Sequence, residues 1–568
     1  MKNTLKNLVI ATFSTLALAP FSAAALENFL PEKTLALAKI ENADRFEEQG
    51  KANPLAAEFN AKILGPLLED VKAQDSEDDF AKFSSAMNAL SDVFSGEVLF
   101  AVIDANDGGC TPVILATCAD GYDLEKIAEL YAKLDSGDSY KSISVAGVAG
   151  KQSGGDCFAM VGNTFILSDS VPALRKMVKA VMVHSFPKSK QKKSFSDSAV
   201  FKKSRKQIGN ADIWFYLDGK TVAKKIYAAA ETYDKEQTKK IQEDPTLGMF
   251  SLIMTPVAKA FAPEAIDSFW TSFSFTADGA VSDSALSWNA NKGLVSLITA
   301  SLKDGIEKPA LFPPSEDLAG VSTSSFSIGK FVLQLMNLAR EATPLFGIAE
   351  MQLMNLKATE NLDVPATLVA LDNGNFSYTL SSGAPEDTVW VQNVSDETLV
   401  AETIKKIVAK FSPEIELKEI PATTGTPAVY SIESECGQTF SVTFVDGKLC
   451  VGKTEAIEKI LSQVSKGKNV PSVWDNANLK AGESLLPAGG CGMSYAHLGS
   501  TLASCFSEFA DAVKLQLEAY NEGEGPNKEW ESLSGIKIGK GDFDYSVISK
   551  TYLGENEVSG KTVIYKNK

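Results

Sequence analysis

Two periodicities alternate along this chain. Runs such as VLFAVID at 98–104 place apolar residues at every second position, as expected of a strand with one buried face and one partly solvated face. The stretches 54–74, 79–94 and 246–261 repeat apolar residues every three or four positions and are predicted to be helices long enough to cover a sheet. Residues 268–289 alternate through a bend at Asp278-Gly279, a strong hairpin signal. Strictly alternating strand–helix order, which would mark a parallel nucleotide-binding sheet, is absent. The fold class this predicts is α+β, with mostly antiparallel strands packed against helices.

The pattern also repeats. PVILATCADGYDLEKIAELYAKL at 112–134 and TVWVQNVSDETLVAETIKKIVAKF at 388–411 both read as a strand followed by an amphipathic helix. GNTFILSDSVPALRKMV at 162–178 matches DGKLCVGKTEAIEKILS at 446–462 as turn, strand and helix. ADIWFYLDGKTVAKKI at 211–226 matches CGMSYAHLGSTLASCF at 491–506 as a strand running into a helix. The offset stays near 280 residues: 277 for Leu134 and Phe411, 284 for Ser168 and Gly452, 280 for Gly219 and Gly499. Leu30-Pro31 ahead of TLALAKI (34–40) parallels Phe312-Pro313-Pro314 ahead of residues 321–340, and residues 543–566 close the second copy as 268–289 close the first. An internal duplication is therefore expected. Residues 26–305 form the first half, 306–316 a proline-containing linker, and 317–568 the second half.

Residues 1–25 read as a secretory leader. Lys2 and Lys6 give a basic start, Leu8 to Leu18 an apolar run, and Ala23-Ala24-Ala25 a small-residue cleavage site that would leave Leu26 first. The apolar run is broken by Ser14, Pro20 and Ser22, short of the roughly 20 residues of a membrane span. No later stretch is long enough to span a membrane either. The chain is expected in the periplasm or outside the cell, with no transmembrane segment once the leader is removed.

Charge refines this picture. The formal net charge is −17, or −19 without Lys2 and Lys6, which argues against a dedicated nucleic-acid binder. Within that acidic chain, eleven Lys or Arg residues crowd between Arg175 and Lys206, with only Asp197 opposing them. Lys188, Lys190, Lys192, Lys193, Lys202, Lys203, Arg205 and Lys206 are the candidate contacts for an anionic ligand; the plainer reading is a solvated surface segment.

Motifs for catalysis are sparse. Gly447 to Thr454 satisfies the P-loop pattern GxxxxGK[ST], but Lys448 to Val451 reads as the second strand of a hairpin turning at Asp446-Gly447, not a phosphate cradle. The only two histidines, His184 and His497, lie 313 residues apart, so local two-histidine metal motifs are excluded. His184 reads as surface and His497 as structural. No GxSxG elbow or CxxC spacing occurs. There are seven cysteines. The same hairpin would set Thr443, not Cys436, opposite Cys450. Cys491 and Cys505 could meet across a strand–helix step, and small buried residues are the plainer reading for most of the seven.

LPEKTLALAKI (30–40), NPLAAEF (53–59) and the repeated GNTFILSDSVPAL and DGKLCVGKTEAI elements resemble an exported bacterial family known as domain of unknown function 3352. The resemblance implies export and a duplicated α+β body, and carries no catalytic residues with it. The expectation is a non-enzymatic envelope or secreted binding protein that needs no cofactor, its partner an envelope lipid, peptide, polysaccharide or protein. The alternative is a carboxylate-dependent hydrolase acting in a cleft between the halves.

Overall fold

The computed structural model describes residues 25–66, 93–104, 109–134, 140–184, 193–243, 254–314, 318–343, 346–379, 387–412, 417–422, 427–433, 439–467, 470–519 and 535–567. The chain forms two compact units. Unit 1 comprises Met1–Val222 and Asp267–Leu286; unit 2 comprises Ala223–Ile266 and Ser287–Lys568. Both mix helices with antiparallel strands, the α+β class that the two periodicities predict.

In unit 1 the strands are β1 (Thr34–Ile40), β2 (Phe94–Asp104), β3 (Cys110–Cys118), β4 (Lys141–Val145), β5 (Val148–Ser153), β6 (Asp156–Val161), β7 (Thr164–Ser168), β8 (Ile213–Asp218), β9 (Ile266–Phe275) and β10 (Ala280–Trp288). They lie in the order β4-β5-β6-β7-β3-β2-β1-β8-β9-β10. The helices are α1 (Ala43–Ala52), α2 (Pro54–Phe59), α3 (Leu124–Leu134), α4 (Val171–His184) and α5 (Ala199–Ile208). In α4, Pro172 occupies the first turn, where no amide is needed, and Leu174, Met177, Val178 and Val181 form one buried stripe. That stripe and Phe201 and Ile208 of α5 pack on Leu37, Leu99, Leu115, Ile166 and Trp214 on one side of the sheet. On the other side, Ile127 and Tyr131 of α3 pack with Phe158 and Phe165, and Ala43 and Phe46 of α1 join the same cluster.

In unit 2 the strands are β11 (Gly320–Ser324), β12 (Leu371–Thr379), β13 (Thr388–Val394), β14 (Leu417–Ile420), β15 (Val429–Glu433), β16 (Thr439–Val445), β17 (Lys448–Lys453), β18 (Gly492–His497), β19 (Tyr545–Leu553) and β20 (Glu557–Lys566). Their order is β14-β15-β16-β17-β13-β12-β11-β18-β19-β20, the unit 1 order advanced by ten strands. The helices after α5 are α6 (Gly219–Glu243), α7 (Met254–Phe261), α8 (Leu294–Ser301), α9 (Ile328–Ala342), α10 (Phe346–Glu360), α11 (Val364–Ala370), α12 (Glu397–Phe411), α13 (Thr454–Ser465), α14 (Ala477–Glu483) and α15 (Leu498–Ala519). Ile457 and Ile460 of α13 and Leu479 of α14 pack on Val321, Phe376, Val391 and Cys450. Val400 of α12 packs near Tyr430, Val442 and Phe444.

Small details recur with the strand order. A single 3-10 turn precedes α5 at Phe195–Asp197 and α14 at Val473–Asp475. In each, the aspartate accepts the amide three residues earlier: Ser194 N–H to Asp197 at 3.1 Å, Ser472 N–H to Asp475 at 2.9 Å. The next amide in each turn reaches a distant carbonyl, Phe195 to Leu30 and Val473 to Phe312.

Two expectations change. β2 begins at Phe94, inside the stretch 79–94 read as helical, because Phe94 pairs with Cys118 and packs its ring 5.2 Å from Phe165. Cys491 and Cys505 are both free thiols, Cys491 buried and Cys505 exposed, so no disulfide joins them. Residues 1–24, most of 54–94 beyond Pro66, 244–253 and Cys436 lie outside the described residues.

Candidate functional site

Strand alternation divides each sheet into a covered face and a second face, and the second faces differ in chemistry. In unit 1, Ile114, Phe100, Ala38, Phe215 and Thr271 sit opposite one another across β3, β2, β1, β8 and β9. A second row alongside is Pro112, Val102, Ala36, Leu217 and Phe269. None of these ten side chains is fully buried, and Phe100 is 43% exposed. The rings of Phe215 and Phe269 lie 6.3 Å apart. The result is an apolar sheet face over five adjacent strands.

The corresponding row in unit 2 crosses β13, β12, β11, β18 and β19 as Trp390, Ser377, Ser322, Ser494 and Ser549. Ser322 and Ser377 share a hydroxyl hydrogen bond of 2.7 Å, and Ser549 shares one of 2.7 Å with Thr562 on β20. Trp390, half exposed, stands at the end of the row. A pocket of about 300 Å³ is lined by Ser322, Ser494 and Ser549 of this row together with Phe326 and Leu302. Four aligned positions that carry Ile, Phe, Ala and Phe in unit 1 therefore carry Trp and three serines in unit 2.

Beneath the covered face of unit 1 lies a charge cluster that no sequence motif marked. Lys39, on β1, has no solvent exposure, and its ammonium donates to Glu27 at 2.6 Å and lies 2.9 Å from Glu97 and 3.3 Å from Glu41. Burial opposes its charge most strongly, but the three carboxylates outweigh that cost and hold its pKa above the usual lysine value. Burial pushes the Glu97 carboxyl above the ordinary glutamate range. Arg205 pairs with Glu41 and stacks 5.2 Å from the centre of the Trp214 ring, whose Nε1–H donates to Glu41 at 2.6 Å.

Arg205 of the basic run thus takes part in this cluster. Lys193, Lys202, Lys203 and Lys206 are exposed, the last three on α5, and Lys202 faces Asp197 at 3.5 Å. Lys188, Lys190 and Lys192 lie outside the described residues. The Gly447–Thr454 segment is strand β17 entering α13. Lys448 pairs with Glu307 and Lys453 with Asp387, both at 3.0 Å, and Thr443 faces Cys450 as the hairpin predicts. Burial raises the thiols of Cys118, Cys157 and Cys450 to about 12, which keeps them protonated and inert at neutral pH.

His497 sits beside Ser500 and Asp544, but the arrangement is a helix cap. Its Nδ1 accepts the Ser500 backbone N–H at 3.2 Å at the start of α15, and Asp544 is 3.9 Å from Nε2, too far for a hydrogen bond. Burial lowers its pKa. His184 ends α4. Among the described residues no His, Cys, Asp and Glu groups are placed to hold a metal ion, and no helix is long and apolar enough to cross a membrane.

No family model and no curated protein matches the chain. Among solved structures, crystal form I of TP0453 is similar over 50% of this chain and 88% of its own, with 10% identity and a TM-score of 0.25. Crystal form IV of TP0453 gives 9% identity and a TM-score of 0.26 over the same shares. Scores this low support no functional inference.

Proposed function

We propose that this chain is an exported, non-enzymatic binding protein of the bacterial envelope, and that it takes a partner protein on the second face of the unit 1 sheet. The observation that carries this reading is the pair of apolar rows across β3, β2, β1, β8 and β9, with Phe100 on β2 43% exposed. Soluble proteins rarely leave contiguous apolar surface without using it, and a flat sheet face suits a protein surface better than an acyl chain, which needs a tunnel. The leader-like residues 1–25 support export, and the resemblance to domain of unknown function 3352 agrees with it. The hydrolase reading gains no support from the carboxylates gathered in unit 1, since Glu27, Glu41 and Glu97 serve as partners of Lys39 and Arg205.

The matching strand order further supports descent of both units from one ancestral unit by duplication. The exchange of Phe100 and Phe215 for Ser377 and Ser494 then supports division of labour, with only unit 1 keeping the apolar face. The test is a photo-crosslinking residue at Phe100 in the full chain expressed in its own envelope. A discrete crosslinked protein, lost in F215S, is expected. Crosslinking to lipid alone, or to nothing, overturns the reading.

A further inference from the structure

The charge cluster of unit 1 is one positive charge short. Glu27, Glu41 and Glu97 supply three carboxylates; Lys39 and Arg205 supply two cations. The Arg45–Asp212 pair nearby, at 2.6 Å, is neutral by itself. An uncompensated charge in a largely buried cluster is costly. The raised pKa of Glu97 agrees, since Lys39 and a backbone amide do not fully offset its burial.

That amide belongs to Leu26. Its nitrogen lies 2.7 Å from Glu97 Oε2, while Glu97 Oε1 lies 2.9 Å from Lys39. The Leu26 side chain is itself fully buried in the unit 1 core beside Phe29 and Leu30. Leu26 is also the residue that follows Ala23-Ala24-Ala25, the small-residue cleavage pattern. We propose that cleavage between Ala25 and Leu26 turns this nitrogen into an α-ammonium that docks on Glu97 as the third cation of the cluster. Hydrolysis of that one peptide bond replaces an N–H dipole by a full charge with three donors, in a position the fold already provides. The cluster then holds three positive and three negative groups. The cost is the Ala25 carbonyl, which accepts the Asn28 amide at 2.9 Å and departs with the leader. Unit 1 is thus built to reach its full stability only after processing.

The inference rests on the export reading, and the experiment separates the two. The N-terminus of the protein recovered from its native envelope is read by intact mass; Leu26 is expected, a retained Met1 overturns both, and cleavage at any other bond overturns the docking alone. The full mature chain beginning at Leu26 is then compared in urea with the same chain retaining Ala25, and with the Leu26 chain acetylated at its amine. Both modifications should shift the folding equilibrium toward the unfolded state about tenfold, since one unit of pKa shift corresponds to that factor. With E97Q in all three, the differences should vanish. Equal midpoints without E97Q, or a gap that survives E97Q, overturn the docking while leaving export intact. In ¹⁵N-leucine-labelled chain, the Leu26 amine should titrate above the usual α-amino range of about 8; an ordinary value is a second overturning result.

Discussion

Lys39 and Glu27 form a 2.6 Å ion pair in which the lysine side chain has no solvent exposure and the glutamate almost none. The pair exists because β1 turns Lys39 onto the core side, opposite Trp214 of β8, where a strand of this pattern would ordinarily place an apolar residue. Only the carboxylates of Glu27, Glu41 and Glu97 make that placement tolerable.

Replacing Lys39 by Met should therefore destabilise far more than a surface lysine would. Glu27 and Glu41 would share Arg205, Glu97 would keep only the Leu26 nitrogen, and breaking a buried pair in this way costs about 3–5 kcal/mol. Urea unfolding of the full chain measures it. Adding E27Q to K39M should recover part of the loss, because one of the stranded charges is gone. A K39M chain as stable as the parent would show that the cluster contributes nothing.

The two aspartates of the 3-10 turns should make stability pH-dependent in a common direction. Hydrogen bonding from the Ser194 amide holds Asp197 below the usual aspartate range. Lys480, then the Ser472 amide, does the same for Asp475. A carboxylate whose folded pKa lies below its unfolded value adds stability above the unfolded value, about 3.9, and loses it as pH falls through the folded value. D197A and D475A should each lower the unfolding midpoint at pH 7, and the gap to the parent should narrow as pH falls below the unfolded aspartate value. A gap that stays constant with pH would mean that the carboxylate charge is irrelevant to the turn.

Much of this architecture was legible from alternation and repeat. TLALAKI is β1 from end to end, and Asp446-Gly447 sets the hairpin register that puts Thr443 across from Cys450. These features depend on residues a few positions apart, so local pattern carries them. The Lys39 cluster was not legible, because Glu27, Glu97 and Arg205 reach it from separate segments, and a lysine near the end of a strand looks solvated until its neighbours are known. The place of Arg205 in the cluster was hidden for the same reason. That residue belongs by sequence to a basic run, and α5 turns it inward while Lys202 and Lys206 stay outside. The serine row escaped notice because its members come from four strands, each contributing a single unremarked hydroxyl.

Gly499, at the step from β18 into α15, should tolerate no side chain. A Cβ there would lie 1.9 Å from the Asp542 carbonyl oxygen, which is backbone and cannot rotate away. Such overpacking costs about 1–3 kcal/mol or more, so G499A should lower the urea midpoint of unit 2 clearly. Gly155 is the matched control, with open space around its would-be Cβ and no positive φ. G155A should be neutral, and a similar loss in both would remove close approach as the cause.

The inward turn of Arg205 also divides the basic run by experiment. Exchanging Lys193, Lys202, Lys203 and Lys206 for Gln removes only exposed side chains, so the urea midpoint should hold. If this surface meets anionic lipid, each lysine near the membrane contributes about 1 kcal/mol at modest salt. The fourfold variant should then lose at least about tenfold in partitioning to phosphatidylglycerol vesicles at low salt, and the difference should shrink as salt screens the charges. R205Q should behave in the opposite way. It strands Glu41 beside Trp214 and lowers the midpoint, while vesicle binding by the folded protein changes little. If the fourfold variant binds vesicles as the parent does, the run is a solvated surface and the anionic-ligand reading ends there.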